Sequence, residues 1–316
     1  MILIVSEVLD ASTNHTIDWI TPTFKHVRVN RKGLRIISIN YDLQEILFDI
    51  NGEILNSKEI DSFWYRRGDF TIENKCLLSE LKLKNHILYH LDEELNDIKL
   101  FFIDKILQQK KSIGSFFAEE KKLSQLFFAK QIGLKIPSTL ITTKKDDLID
   151  FYMSCEKKIV TKGINNSPSI TYDNISIEGY TEKVTSDLID KLPDEFFPSF
   201  FQENIKKQYE LRIFFLKGKF YAMAIFSQSD EQTKTDMRKY NDTHPNRTIP
   251  YKLPTDIENK LSSFMDKMSL DTGSIDIIVD NENEFYFLEV NPNGQFGMVS
   301  TPCNYYIEKD IAEMLI

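Results

Sequence analysis

Cysteine is scarce in this chain. Three occur among 316 residues, Cys76, Cys155 and Cys303, and no metal-ligand spacing links them. That excludes a disulfide framework and fits a reducing cytoplasm. A basic surplus is also absent: 39 Lys and Arg stand against 48 Asp and Glu, for a net charge of −9. No global positive field is therefore available to draw in nucleic acid, although a local basic cleft remains open. Long hydrophobic runs are lacking, and nothing approaches the length of a membrane span. The opening MILIVSEV has no cationic flank and too short an apolar stretch for a signal peptide. There is no internal repeat, no low-complexity tract, and no Ser/His/Asp or Cys/His nucleophile pattern. His86 and His90 are spaced i, i+4, but without a third ligand they read as a helix surface or a packed helix face. What is present is 41% hydrophobic residues, enough to build a substantial core in two domains or one elaborated one.

The most informative stretch is Ser274 to Gly294, SIDIIVDNENEFYFLEVNPNG. It reads as a strand over Ser274–Val279, a polar turn over Asn281–Glu284, and a second strand over Phe285–Asn291. Side chains alternate along a strand, so Glu289 and Asn291 share a face, and the hairpin can bring Asp276 opposite Glu289. Two carboxylates and an amide oxygen are hard ligands, suited to Mg²⁺ holding a nucleotide phosphate. The alternative is a hairpin with solvated acids on its outer face. Glu289 interrupts the apolar run FYFLEV, where an unpaired carboxylate would be costly and a cation would relieve the cost.

Upstream, Met1–Val5 predicts a buried strand, and a helix is expected over Asp10–Ile20 with Asp10, Ser12 or Thr13 as its cap. Phe63–Tyr65 reads as a strand that delivers Arg66 and Arg67 at its C-terminal end, where open α/β sheets gather ligands; ordinary salt bridges are the alternative. Leu77–Gln109 has helical periodicity, and the pattern breaks at Lys110–Ser115. A further helix, Glu119–Ile132, ends at Gly133. Strand Lys158–Lys162 ends on a lysine and enters the polar loop GINNSPS. The aromatic segment Leu192–Phe201 reads as core, with Pro193 and Pro198 barring a long helix. On strand Leu211–Leu216, Arg212 shares a face with Phe214 and Leu216 and needs an anion there. A phosphate-like anion or a buried ion pair with Glu210 or Glu203 would each serve. Gln228–Arg247 is polar and reads as a loop, and Leu253–Met268 as an amphipathic helix.

Taken in order, these stretches resemble the ATP-grasp superfamily of carboxylate ligases. D-x(12)-E-x-N, with Asp276, Glu289 and Asn291, is similar to its metal signature. KLSQLFFAKQIGLKIPST places a lysine eleven residues before Gly133, which implies Lys122 as the first nucleotide lysine, with Lys121 adjacent. Lys162 matches the second. The QENI string implies adenine contacts from Glu203 and the backbone near Ile205, and Glu210, seven residues beyond Glu203, takes the place of the ribose-binding acid. SFWYRRGD, VTKG and the D-x-R-x-Y of Asp236–Tyr240 resemble one branch, the graspetide (microviridin-type, grasp-with-spasm) maturases of ribosomal peptides. The resemblance implies an α/β and α+β architecture: an N-terminal α/β domain over 1–115, a small central domain over 116–201, and a C-terminal α+β domain with the metal site over 202–316. It also implies ATP and Mg²⁺ as cofactors. Arg212 and Arg238 would grip a carboxylate or its acyl phosphate, and Arg66 and Arg67 would lie near the anionic substrate. The expected partner is a ribosomal precursor peptide, leader plus core, met in the cytoplasm, with no nucleic acid and no membrane; a homodimer is left open. A ligase adding an amino acid to a protein or small molecule is the enzymatic alternative. A leader-binding module with a degenerate ATP site is the non-enzymatic one.

Overall fold

The apolar opening forms the strand that its composition predicts, Ile2–Val5, and it lies inside a parallel sheet ordered His26–Val29, Ile2–Val5, Ser62–Tyr65, Lys111–Ile113. The computed structural model describes residues 1–22, 24–30, 33–73, 84–108, 111–118, 121–164, 169–173, 175–227 and 246–316. Helix Ala11–Trp19 begins where Asp10 caps it, Thr13 N donating to Asp10 Oδ1 at 2.8 Å. An antiparallel sheet of Leu34–Asn40, Glu45–Ile50 and Glu53–Asn56 follows. The periodic stretch expected over 77–109 is a helix over Lys84–Leu107, residues 74–83 lying outside those described. Its Phe102, Ile103 and Ile106 join Leu3, Phe48, Phe63 and Phe70 in one buried core. Full burial of each such side chain contributes about 1.5–3 kcal/mol.

Two compact units emerge. The first is Met1–Ala118 with Gln295–Ser300 and Tyr306–Ile316; the second is Glu119–Gly294 with Thr301–Tyr305. The segments Gln295–Ser300 and Tyr306–Ile316 thus cluster with the N-terminal residues. Within the first unit, Ser62 Oγ donates to Leu315 O at 2.7 Å and ties the last helix to the parallel sheet. The chain ends in helix Ile307–Leu315, with a further short helix over Gly297–Cys303 before it, and Tyr306 turns the chain between them with a left-handed φ of +55°.

The second unit holds an antiparallel sheet ordered Glu182–Val184, Ile159–Lys162, Glu195–Glu203, Thr139–Lys144. A larger antiparallel sheet is ordered Arg247–Tyr251, Lys219–Phe226, Lys207–Leu216, Thr272–Asp280, Phe285–Asn291. On Thr272–Asp280 the residues Ile275, Ile277 and Val279 are buried, while Asp276 alternates to the opposite face. Helix Thr255–Lys267 buries Ile257, Leu261, Phe264 and Met265, and the Phe264 and Phe287 rings meet at 4.7 Å between centroids. The aromatic stretch before residue 202 is a strand, Glu195–Glu203, that runs through the 201/202 position. Its Phe200 and Phe201 are core, but Phe197 is 83% exposed.

Candidate nucleotide and metal site

The site is built on one face of the larger sheet. Antiparallel pairing sets Arg212 opposite Asp276 and Asp276 opposite Glu289, so the three stand in one cross-strand row. The hairpin therefore brings the two carboxylates opposite each other, as their spacing predicts. One extra residue, Leu288, is accommodated where the register shifts beyond that pair. Arg212 Nη1 donates to Asp276 Oδ1 at 2.6 Å. Arg212 Nε is buried without a hydrogen-bond partner. Burial pushes the Asp276 carboxyl above the ordinary carboxylate range and the Glu289 charge adds to this, while Arg212 opposes both. Asn291 stands opposite Ser274, and its Oδ1 accepts from Asn293 N at 2.9 Å. Gly294 closes this corner. A Cβ at Gly294 would lie 2.3 Å from Ser274 Cβ, so the close approach requires glycine.

Lys122 opens helix Lys122–Ile132 and places Nζ 3.0 Å from Glu289 Oε2. Burial alone would raise the Glu289 carboxyl, but the ammonium groups of Lys162 and Lys122, with Arg212 beyond them, outweigh it and hold the group below its ordinary value. Lys162 ends its strand as expected, 5.7 Å above the Phe200 ring. Gln125, a residue that sequence reasoning missed, joins the helix that Lys122 opens to the strand that carries Glu289. Phe285–Asn291 is an edge strand. The buried Gln125 side chain donates to Val290 O and accepts from Val290 N, both at 2.8 Å, and so completes the edge beside Glu289. Lys135 O accepts from Phe287 N at 2.8 Å further along the same edge.

Glu203 ends its strand. Its backbone N–H donates to Ser138 O at 2.8 Å, and its Oε2 accepts from Ser138 N at 3.3 Å. Ile205 is buried in the connection that follows. Glu210 is buried with both carboxylate oxygens engaged, Oε1 by Lys207 Nζ at 2.7 Å and Oε2 by Ser227 Oγ at 2.9 Å. Burial raises the Glu210 carboxyl and the Lys207 charge opposes it. Lys207 was not visible from the sequence. Residues three apart on a regular strand face opposite ways, but the register shifts between Lys207 and Tyr209, where Gln208 is the extra residue, and this brings Lys207 to Glu210.

The arginines are divided. Arg212 belongs to the sheet row, and its partner is Asp276, neither of the glutamates considered from spacing. Arg66 and Arg67 lie in the first unit beside Asp10 and Glu7. Burial pulls the Arg66 guanidinium down to about 10, partly offset by Asp10, and it stays charged at neutral pH. Arg238, with the rest of 228–245, lies outside the described residues.

The donor set fits Mg²⁺ on its own chemistry. Among the described residues, no group of three or more His, Cys, Asp or Glu could hold a metal ion. Mg²⁺ commonly takes one or two carboxylates and completes its shell with phosphate oxygens and water. Asp276 and Glu289, with the Asn291 amide nearby and the Lys122 and Lys162 ammonium groups acting on Glu289, match that pattern.

No family model matches the chain, and no curated protein matches it. Solved structures do. A RiPP-associated ATP-grasp ligase from Chryseobacterium gregarium, in complex with ADP and a leader and core peptide, aligns with a TM-score of 0.83 at 27% identity, over 99% of this chain and 96% of that one. The macrocyclase MdnC from Microcystis aeruginosa MRC, bound with precursor peptide MdnA, aligns at 0.77 and 27% identity over 100% and 99% of the two chains. The ATP-grasp ligase PsnB, complexed with a minimal-precursor variant, Mg and ADP, aligns at 0.70 over 99% and 97%; at 14% identity its likeness is one of fold. These likenesses run along nearly the whole chain and show the ATP-grasp fold.

Proposed function

We propose that this chain, an ATP-grasp ligase by fold, is an ATP-dependent macrocyclase of a ribosomal precursor peptide. It activates Asp or Glu side chains as acyl phosphates and joins them to Ser/Thr hydroxyls or Lys amines. The observation that carries the reading is the convergence of Arg212, Asp276, Glu289, Lys122 and Lys162 in the second unit. Near-complete alignment with two peptide-bound ligases supports it.

The chemistry follows from charge. A carboxylate is a poor acyl donor at neutral pH. Its oxygen takes the γ-phosphoryl group of ATP, ADP departs, and the acyl phosphate carries a good leaving group. The hydroxyl or amine attacks the acyl carbon, its proton is lost, and inorganic phosphate leaves, so each ring costs the peptide one water. Lys122 and Lys162 bind the phosphates, and Asp276, Glu289 and Asn291 hold Mg²⁺. When bound, Mg²⁺ offsets the negative charge that gathers in phosphoryl transfer. Lys122 and Glu289 exchange each other for the nucleotide, the lysine turning to phosphate and the carboxylate to metal. Glu203 and the backbone at Ile205 take the adenine, and Glu210, oriented by Lys207 and Ser227, takes the ribose. Arg212 and Arg238 grip the carboxylate and its acyl phosphate, because the guanidinium fork is planar and permanently charged. The precursor is read as leader plus core, and the reaction is placed in the cytoplasm without nucleic acid or membrane. No helix among the described residues is long and apolar enough to cross a membrane.

The test is mass spectrometry of candidate precursor peptides incubated with the protein, ATP and Mg²⁺. Loss of one water per ring, matched by ADP, is the expected result. ADP formation with every peptide mass unchanged would overturn the reading.

A further inference from the structure

The two carboxylates of the metal set already face cations of the protein's own. Lys122 Nζ lies 3.0 Å from Glu289 Oε2, and Lys162 and Arg212 also act on that carboxylate. Arg212 Nη1 donates to both oxygens of Asp276, at 2.6 Å from Oδ1. The Glu210 charge also reaches Asp276, but Glu210 is matched by its own Lys207. Three cations thus face two carboxylates, which leaves one positive charge in surplus. A divalent cation entering alone meets net repulsion there, whereas a triphosphate is attracted.

Of the three cations, Lys122 is the one that can leave. Arg212 and Asp276 are joined by hydrogen bonds. Glu289 Oε2 is buried and, among the described residues, accepts none. Lys122 is close enough to it for an ion pair but is not aligned as a hydrogen bond. The ammonium therefore balances the charge of that oxygen without engaging its lone pairs, and leaves them for a metal. The helix favours the same exchange. Lys122 is the first residue of Lys122–Ile132, and no side chain caps that end. A helix N-terminus disfavours a cation and attracts phosphate. Gln125, one turn on, ties the helix to Val290 by two hydrogen bonds of 2.8 Å. Lys122 can then turn from carboxylate to phosphate by side-chain rotation alone.

We propose that Lys122 is an internal counter-ion that regulates the metal site: it holds Glu289 until a triphosphate draws it away, so that Glu289 is released to Mg²⁺ only with the nucleotide. The identity of the two ligands rests on the function proposed above; the counter-ion rests on the geometry of the second unit alone. Such an exchange couples the two affinities, each ligand strengthening the other by the same factor.

The experiment is titration calorimetry on the full chain, with Mg²⁺ alone and with a non-hydrolysable ATP analogue in EDTA. The wild type binds the analogue in EDTA and binds Mg²⁺ alone no more tightly than about 1 mM. Lys122→Met binds Mg²⁺ alone about tenfold or more tightly than wild type, the scale of one unit charge a few ångströms away, and binds the analogue less tightly. Loss of a nucleotide contact alone would not produce that gain for the metal. Lys122→Arg, which keeps the charge, shows no gain. Neither does Lys135→Met, which removes an exposed cation that pairs with Glu284 in the same unit. Adding Glu289→Gln to Lys122→Met abolishes the gain and so locates the ion. Tight binding of Mg²⁺ alone by the wild type, no gain in a folded Lys122→Met, or a gain that survives Glu289→Gln would each overturn the proposal; the first of these needs no variant. Analogue binding that persists while Lys122→Met shows no gain removes the counter-ion and leaves the ligase reading standing. A gain for Mg²⁺ in a protein that binds no analogue removes the ligase reading alone.

Discussion

Arg212 and Asp276 face each other across adjacent strands, Nη1 lying 2.6 Å from Oδ1, and this pair anchors the row that ends at Glu289. Both side chains are largely buried, so removing one charge strands the other. Arg212→Gln is expected to lower the stability of the nucleotide-free protein by about 3–5 kcal/mol, the scale for breaking a buried ion pair. Because the Asp276 carboxyl is already pushed up by burial, it can take a proton when its cation is gone. The deficit should therefore shrink as pH falls. Urea denaturation at several pH values measures this, and a loss under about 1 kcal/mol at neutral pH would show that the pair is not buried in the sense argued.

Under the proposed function, Glu289→Ala should abolish ATP turnover while the fold survives, because the proposed metal ligand is lost and little core volume goes with it. It also leaves Lys122 without the carboxylate it meets at 3.0 Å. Circular dichroism reports the fold and coupled ADP release the turnover. A folded variant with normal turnover would remove Glu289 from the metal set.

Much of this site was legible in the chain because its signals are local. A two-residue offset on one strand fixes a shared face, and a short polar turn fixes which residues oppose one another, so Asp276 meets Glu289 as its position predicts. What was hidden depends on irregularity or on contacts distant in sequence. Lys207 reaches Glu210 through a bulge that no periodicity announces. Gln125 meets Val290 across 165 residues, where the sequence offers only a polar residue on a helix. Phe197 shares its composition with the buried Phe200 and Phe201, and only the strand's course separates them.

The Lys207–Glu210 pair makes a pH prediction. Glu210 has an ordinary value of 4.5, raised in the folded state first by burial, with Lys207 working against the rise. A carboxyl raised on folding binds its proton more tightly in the native state, so its contribution to stability falls as pH climbs from the unfolded value to the folded one. Lys207→Met removes the opposing charge and lifts the folded value further, which widens that window. The stability gap between wild type and variant should therefore grow as pH rises from 4.5 toward neutrality. Urea midpoints across that range decide it; a gap independent of pH would show that Lys207 does not hold the carboxylate ionised.

Gln125 supplies a different kind of test, since it joins the helix that Lys122 opens to the strand that carries Glu289. Gln125→Leu leaves the Val290 N–H and C=O without the partners they have at 2.8 Å. Each unsatisfied buried group costs about 1–3 kcal/mol, so destabilisation of about 2 kcal/mol or more is expected. The edge strand should loosen as well, raising KM for ATP more than it lowers kcat. Gln125→Glu keeps the acceptor for Val290 N and loses the donor to Val290 O, and should fall between. A destabilised Gln125→Leu with unchanged KM would confine Gln125 to a structural role.

Phe197 gives the last prediction, which concerns the leader. It is 83% exposed on strand Glu195–Glu203, which runs directly into the connection through Asn204 and Ile205. A leader docked on this strand would bias closure around the nucleotide only through a difference in affinity between open and closed states. Leader added in trans should therefore raise the rate on a leaderless core peptide. Phe197→Ser should weaken that stimulation several-fold while stability stays within about 0.5 kcal/mol of wild type, since an exposed ring contributes little packing. Phe201→Ser is the contrast: that side chain lies in the core with Leu148 and Ile159, and its loss should destabilise by about 3 kcal/mol or more. Rates measured with and without leader, alongside urea midpoints, separate the two effects. Equal stimulation in wild type and Phe197→Ser would place the leader elsewhere, and identical rates with and without leader in the wild type would end the coupling idea itself.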